Sequence, residues 1–291
     1  MKIIFISDVF EDQHVGGAEI NDGNLIKFFK SKDWLKGKIN SHNVTPSFLL
    51  ENQDSIFVVS NFAGLSAVSK AFLYDSCTYF IYEHDYKFAK SRNPIWYPDF
   101  IVPENQKINI NFYKGAKKLV CLSNLHREIY EKNIPDLKNI VNITCSLFSD
   151  EKIDYLLSLS KNKKTKKYAI IDSADPRKRT ADAIAFCEKN NYDYDLIKSD
   201  SNDEFLKLMS QYENLVYMAG HPEPTPRIAV EAKLLGVKLI SQKNLIGVAH
   251  EEWYSLEGKK LANALKKIRK DAFKMFESFF KECEVPNETW L

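Results

Sequence analysis

The chain has almost no net charge, no cysteines at metal-binding spacing and no long apolar run, and each lack closes off a class of protein. Its 41 Lys and Arg against 39 Asp and Glu leave a formal charge of +2, so there is no overall basic footprint of the kind nucleic-acid-binding domains carry. The 5 cysteines (Cys77, Cys121, Cys145, Cys187, Cys283) are odd in number, scattered and without a CxxC. That argues against a disulfide framework or a zinc site and for a reducing compartment. No apolar stretch approaches the roughly 20 residues that cross a bilayer. The apolar core of MKIIFISD is too short for a signal peptide. We therefore expect a cytoplasmic protein.

What is present is a repeated alternation of short apolar runs with amphipathic segments. At 291 residues the chain exceeds the usual single-domain size. Residues 2–7 are isoleucine-rich, as expected of a strand buried on both faces. Val15-Gly16-Gly17-Ala18-Glu19 follows, then a helical pattern built on Ile20, Leu25, Ile26, Phe28 and Phe29. Strand, glycine pair and helix suit a close backbone approach to a phosphate, although the same pattern also makes a plain tight connection. Further strands are expected over 55–60, 78–82, 117–122 and 139–144, and helices over 45–51, 65–74 and, behind an N-cap at Ser123, through Lys132. The strand over 78–82 runs into Glu83-His84-Asp85. The carboxyl ends of parallel strands border the ligand crevice, so this trio is either part of a site or a hydrogen-bonded loop. Residues 86–106, with three prolines and several aromatics, read as an irregular loop able to line an acceptor pocket.

A helix is expected over 150–159 and a solvated linker over the lysine-rich, glycine-free run 161–167. A second array opens with a strand over 168–172 and a loop carrying Arg177, Lys178 and Arg179, which suits an anion or makes a charged surface turn. Strands over 195–198 and 215–218 flank a helix over 202–211. The tail, residues 257–282, sets Leu261, Leu265, Ile268, Ala272, Met275 or Phe276, and Phe279 at helical spacing opposite a lysine-rich face. Packing on the core is one reading of that stripe, and lying on an anionic membrane is the other. Lysine clusters at 114–118, 161–167 and 259–270 are solvated faces or contacts to a membrane or a nucleic acid.

The most informative stretch is 221–242, HPEPTPRIAVEAKLLGVKLISQ. Thr225 suits an N-cap, Pro226 the first helical position and Gly236 the left-handed turn that ends a helix. Residues 237–240 then read as a buried strand. A helix N-terminus favours a phosphate. Glu223 before the helix and Glu231 within it are placed to reach the hydroxyls of a sugar held there.

The order of elements suggests two doubly wound domains facing a cleft. We expect them at 1–148 and 168–255, with a linker at 149–167 and a helical tail at 256–291 packing back across both. Glu223-Pro224-Thr225-Pro226-Arg227-Ile228-Ala229-Val230-Glu231, followed by Ala232-Lys233-Leu234-Leu235-Gly236-Val237, resembles the donor-site signature of GT-B glycosyltransferases, most closely glycosyltransferase family 4. Gly16-Gly17-Ala18-Glu19, Glu83-His84-Asp85, Cys121-Leu122-Ser123 and the Lys178 loop stand in the family's order, so the resemblance covers most of the chain.

The resemblance implies a nucleotide-sugar-dependent hexosyl- or pentosyltransferase that retains anomeric configuration, with a UDP- or GDP-sugar as co-substrate and neither cofactor nor metal. Glu231 would hold the ribose hydroxyls and Glu223 the donor sugar, and backbone amides from Thr225 through Pro226 and Arg227 to Ile228 would face sugar or diphosphate. Gly16 and Gly17 would admit the diphosphate, Lys178 would neutralise it, and His84 would point at the sugar. Glu19 and Asp85 are candidates for the acceptor side. Asp172 and Ser173 stand where the family has Gly-Arg and Arg179 stands at a glycine, so Arg177, Arg179 or Arg227 would replace the missing arginine. Thr225-Pro226 replaces the family's Phe-Gly. The acceptor stays open among a glycan, a lipid-linked precursor, a protein and a hydroxymethylated DNA base. A GT-B protein that binds without catalysis and a two-domain epimerase are the alternatives.

Overall fold

The computed structural model describes residues 1–283. Eight residues of the expected tail segment, 284–291, lie outside the described residues.

The first unit contains β1 (Ile3–Ser7), α1 (Gly17–Ser31), β2 (Leu35–Asn40), α2 (Pro46–Glu51), β3 (Ile56–Val59), α3 (Ala67–Ser76), β4 (Thr78–Tyr82), α4 (Ile110–Gly115), β5 (Leu119–Cys121), α5 (Asn124–Asn133) and β6 (Ile140–Asn142). Its six strands run in the order β2-β1-β3-β4-β5-β6, and every pair is parallel. Both faces are covered, and β1 shows how. Ile4 and Ile6 enter one core with Phe57, Phe62 and Tyr79, while Ile3 and Phe5 enter the opposite core with Leu25, Phe29 and Phe276. Alternate residues of a strand point to opposite faces, so a run buried on both sides has to be continuously apolar. The edge strand β2, LKGKIN, is half exposed and lacks that run, so it carries no such signal.

The second unit contains α6 (Asp150–Leu159), β7 (Thr165–Ile171), α7 (Thr180–Lys189), β8 (Tyr194–Ile197), α8 (Asn202–Met209), β9 (Tyr212–Val216), α9 (Arg227–Leu234), β10 (Lys238–Ile240) and α10 (Gly258–Cys283). Its four strands are parallel in the order β10-β9-β7-β8. One expectation is corrected here. The basic run 161–167 does not join the two units: it connects α6 to β7 within the second, and β7 already begins at Thr165. Ile153 and Leu156 of α6 pack with Ala169, Leu206 and Val230, which ties that helix to the second core. The chain crosses between the units just after β6, where Ile143 and Leu147 enter the first core while Cys145 and Phe148 enter the second.

The last helix returns. Leu261 and Leu265 of α10 pack in the second core, and Ala272, Phe276, Phe279 and Phe280 in the first. The apolar stripe is therefore consumed by the protein's own cores, and the helix straps one unit to the other. No described helix is long and apolar enough to cross a membrane.

Candidate functional site

Two helix N-termini converge on the cleft between the units. Helix α1 starts behind Gly16 and α9 behind Pro226, and neither cap residue offers a side-chain hydrogen bond to the first amides. Thr45, Ser66, Ser123, Ser149 and Ser201 do so for α2, α3, α5, α6 and α8. The uncapped starts leave N–H groups and partial positive charge available to an anion. The two starts are close: a Cβ on Gly17 would lie 3.5 Å from Cδ of Arg227. This corrects the expected cap. Pro226, not Thr225, occupies the N-cap, because the Thr225 hydroxyl pairs instead with Ser146 Oγ of the crossing segment, 2.6 Å away. Gly236 does adopt the left-handed φ of +65° after α9.

Between these termini lies a cavity of about 510 Å³. Gly16, Gly17 and His84 line it from the first unit, and Lys178, Glu223, Thr225, Pro226, Arg227, Ile228 and Glu231 from the second. Glu231 is 5% exposed. Among the described residues its one ion-pair partner is Arg227, Nε to Oε1 at 3.7 Å. Among the described residues no group donates a hydrogen bond to its oxygens. Burial raises the Glu231 carboxyl and Arg227 only partly offsets that. The Arg227 guanidinium stacks on Phe148, Cζ 3.8 Å from the ring centroid, and donates to the Leu147 carbonyl at 3.2 Å. Arg227 is thus held as a wall of the site and a counterion for Glu231. Glu223 accepts from the Tyr217 hydroxyl. Lys178 Nζ sits 3.8 Å from Glu223 and donates to Tyr217 at 3.2 Å, so lysine, phenol and carboxylate form one group.

Of the three basic residues in the loop after β7, only Lys178 enters the cavity. Arg177 folds back on Asp175, with Nη2 to Oδ2 at 2.8 Å, and Arg179 pairs with Asp182. Successive residues of the tight turn Pro176–Lys178 point in different directions, and Arg179 takes a left-handed φ of +47°. Local carboxylates collect both arginines, and neither lines the cavity. Glu19 and Asp85 lie outside its lining as well. Glu19 is buried in the first turn of α1, and Asp85 is bound by Lys87 at 2.8 Å and by Arg92.

His84 reaches the cavity from the carboxyl end of β4, and a buried network fixes it there. Its Nε2 contacts Asp22 Oδ1 at 2.7 Å, and Asp22, 1% exposed, also accepts from Ser60 at 2.7 Å. Sequence reasoning passed over Asp22. The signal was present, since Asp22, Leu25 and Phe29 share one face of α1 and a carboxylate on a buried helix face needs a partner. Glu83 accepts from the amides of His84 and Asp85 at 2.9 and 3.1 Å and from Lys87 and Tyr113 at 2.5 and 2.6 Å. Burial works against the Asp85 charge, but Lys87 and Arg92 outweigh it and hold the carboxyl below its usual range.

Beneath this loop His126, 0% exposed, donates from Nε2 to the Asp85 carbonyl at 2.9 Å and accepts at Nδ1 from Leu122 N at 3.2 Å. Burial pushes it down to about 3 from the ordinary 6.5. The unfolded chain therefore binds a proton that the folded chain refuses. This part of the stability is complete above pH 6.5 and is lost as pH falls toward about 3. At pH 5 wild type should lose about 1.4 kcal/mol per pH unit more than His126→Gln as pH is lowered. Parallel slopes in denaturant titrations of the two proteins would exclude the assignment.

The units also touch around the cavity. Asn124 donates from its backbone N and Nδ2 to Glu251, Asn93 Nδ2 donates to the Gly220 carbonyl at 3.1 Å, and Trp253 Nε1 donates to the Thr144 carbonyl at 3.1 Å. Ser199, Asp200, Asn202, Phe205 and His221 also line the cavity; none was a sequence candidate. All five cysteines are free, and the described residues gather no group of three His, Cys, Asp or Glu able to hold a metal ion.

No protein-family profile matches the chain, and no curated protein matches it in sequence. Solved structures do. HepE from Anabaena, in complex with UDP and glucose, superposes with a TM-score of 0.58 at 12% identity over 96% of this chain and 100% of its own. OtsA, in its apo form, gives 0.59 at 8% over 98% and 99%. The catalytic domain of starch synthase IV from Arabidopsis thaliana, bound to ADP and acarbose, gives 0.56 at 9% over 97% and 99%. At such identities the likeness speaks for architecture, and it agrees with the two parallel sheets, the cleft and the returning helix: the chain has the GT-B fold.

Proposed function

We propose that this protein is a glycosyltransferase that moves a sugar from a nucleotide-sugar donor to an acceptor, with the donor seated in the cavity between the units. The observation that carries the reading is a nearly buried carboxylate, Glu231, with no hydrogen-bond donor among the described residues, one turn inside a helix whose uncapped N-terminus opposes another across the cavity. A vicinal pair of ribose hydroxyls supplies two donors to such a carboxylate, and a diphosphate is the anion that two helix ends and a lysine attract. That HepE was solved with UDP and glucose in the same fold is in keeping with this.

In this reading the backbone at Gly16, Gly17 and Thr225 to Ile228 cradles the diphosphate. Lys178 and the helix dipoles stabilise the negative charge that builds on the leaving group, the part of the reaction where preorganised electrostatics contribute most. Glu223 and the Asp22-oriented His84 contact the sugar from opposite units. Because Lys178 and the two helix termini would face the leaving diphosphate, the proposal includes transfer without a divalent cation, and the resemblance to family 4 adds retention.

The reading is tested with UDP, GDP, ADP and their sugars. One nucleoside diphosphate at a hundred times its Kd should stabilise the fold by about 2.7 kcal/mol, seen as a rise of several degrees in Tm. Incubation with the matching donor and EDTA should release that diphosphate. No shift with any nucleotide would sink the reading. A shift without release of diphosphate or transfer would favour a binding protein, the second reading that the absent Gly-Arg at Asp172-Ser173 supports.

A further inference from the structure

We propose that the outer edge of α10 is a docking surface for the phosphodiester backbone of a nucleic acid, held without regard to base sequence. None of the residues concerned lines the cavity between the units, so the surface does not depend on what that cavity holds.

Positive charge is concentrated on this one helix. Eight Lys and Arg stand against three acidic residues in Gly258–Cys283, in a chain whose formal charge is only +2. The packing of α10 sorts them. Leu261, Leu265, Ala272, Phe276 and Phe279 turn inward, which leaves Lys260, Lys267, Lys270, Lys274 and Lys281 exposed on the opposite side. At 3.6 residues per turn those five fall within about 80° of arc, and at 1.5 Å per residue they span about 32 Å. Lys267 pairs with Asp271 at 2.5 Å; among the described residues the other four have no ion-pair partner. The acids nearby are engaged elsewhere: Asp154 holds Lys266 at 2.6 Å, Asp150 holds Arg269 at 2.7 Å and Glu277 holds Lys32 of α1 at 2.9 Å. Like charges three or four positions apart, as at 267, 270 and 274, repel and weaken a helix. Solvated surfaces ordinarily intersperse the two signs, and a polyanion relieves the repulsion here. Beside the row, between α10 and α1, lies a groove of about 660 Å³ whose lining holds six cations against two acids. Phe28 and Phe273 stack there with ring centroids 4.1 Å apart, and Lys267, Lys270 and Lys274 belong to both groove and row.

The shape of the charge selects the partner. A single line of cations matches a line of phosphates, and about 32 Å is the length of nine to ten base pairs at roughly 3.4 Å each. A bilayer presents a plane instead, and helices that lie on it add apolar side chains that enter the headgroup layer. The apolar residues of α10 are buried in the two cores, and none of the exposed large apolar side chains lies on this helix. Lysine contacts to phosphate carry no sequence information, so binding should follow salt concentration rather than base sequence.

Fluorescence anisotropy of a labelled DNA duplex of about 20 base pairs, long enough to cover the row, tests this on the full chain across a series of salt concentrations. For wild type, log K should fall against log salt with a slope of about −4 to −5, the value for five phosphate contacts. The triple variant Lys267→Gln, Lys270→Gln, Lys274→Gln should make the slope shallower by about three and weaken binding about a hundredfold or more at roughly 0.1 M salt, whatever the duplex sequence. Lys161→Gln with Lys163→Gln, on the exposed α6–β7 connection, should change neither. No binding at low salt, an unchanged slope in the triple variant, or an equal change in the Lys161 and Lys163 variant would overturn the proposal. Capture by vesicles of phosphatidylglycerol and phosphatidylcholine in equal parts, lost in the triple variant while the duplex stays unbound, would assign the surface to a bilayer and overturn it too.

Discussion

Glu231→Ala should abolish most of the rise in Tm that a saturating nucleoside diphosphate produces. Two hydrogen bonds from ribose hydroxyls to a carboxylate, at about 1.5–3 kcal/mol each, amount to a hundredfold or more in Kd, enough to cancel a stabilisation of about 2.7 kcal/mol. The substitution also leaves Arg227 largely buried beside Phe148 without its counterion. The unliganded variant should therefore be less stable by about 3 kcal/mol, the usual scale for breaking a buried pair. Glu231→Gln separates the two effects, because it keeps the shape and one acceptor while removing the charge. Nucleoside and nucleoside diphosphate should lose affinity by similar factors, since the carboxylate addresses the sugar they share. A Glu231→Ala protein with the full wild-type shift would exclude Glu231 from the site.

Gly247→Ala should be the most damaging single methyl addition around the cavity. Gly247 N donates to the Glu223 carbonyl at 2.8 Å, and Glu223 N donates to the Leu245 carbonyl at 2.8 Å, so this backbone sets the position of Glu223. A Cβ on Gly247 would overlap the Pro224 carbonyl and also meet the Ser123 hydroxyl that caps α5 in the first unit. Backbone cannot yield as a flexible side chain does, so Glu223 must shift into the cavity or the units must part. Overpacking of this kind costs about 1–3 kcal/mol. Nucleotide-sugar affinity should fall at least about tenfold with it, because hydrogen bonds are sensitive to displacements of a few tenths of an ångström. Gly37→Ala, where nothing lies within 4 Å of the added methyl, is the control and should change Tm little. Wild-type binding by Gly247→Ala would mean that Glu223 does not depend on this contact.

Elements whose signals lie within a few residues were legible before the fold was known. The buried strands β1 and β4, the Ser123 cap and the left-handed Gly236 all follow from side chains acting on their own backbone or from periodicity along one segment. The edge strand β2 was not legible, because half-exposed residues next to the solvent carry no continuous apolar run. The linker was misplaced for a related reason. A run of lysines marks solvent exposure, and the short α6–β7 connection is as solvated as an interdomain link would be.

The candidate site divides along the same line. Glu223, Glu231 and the glycine pair stand beside helix starts that the local sequence announces, and the family resemblance singles out Lys178 among the three basic residues of its loop. The fates of the arginines, the capture of the Thr225 hydroxyl by Ser146 and the pairing of His84 with Asp22, 62 positions apart, could not. Each depends on which group a side chain meets across the cleft or around a turn, and the packing of sheets and the crossing at 143–148 decide that. Residue types and their order along this chain were enough to specify two αβα layers. Which carboxylate stays open to a ligand and which cations are already neutralised emerge only when distant segments come within hydrogen-bonding distance, because those contacts follow from three-dimensional packing rather than from periodicity.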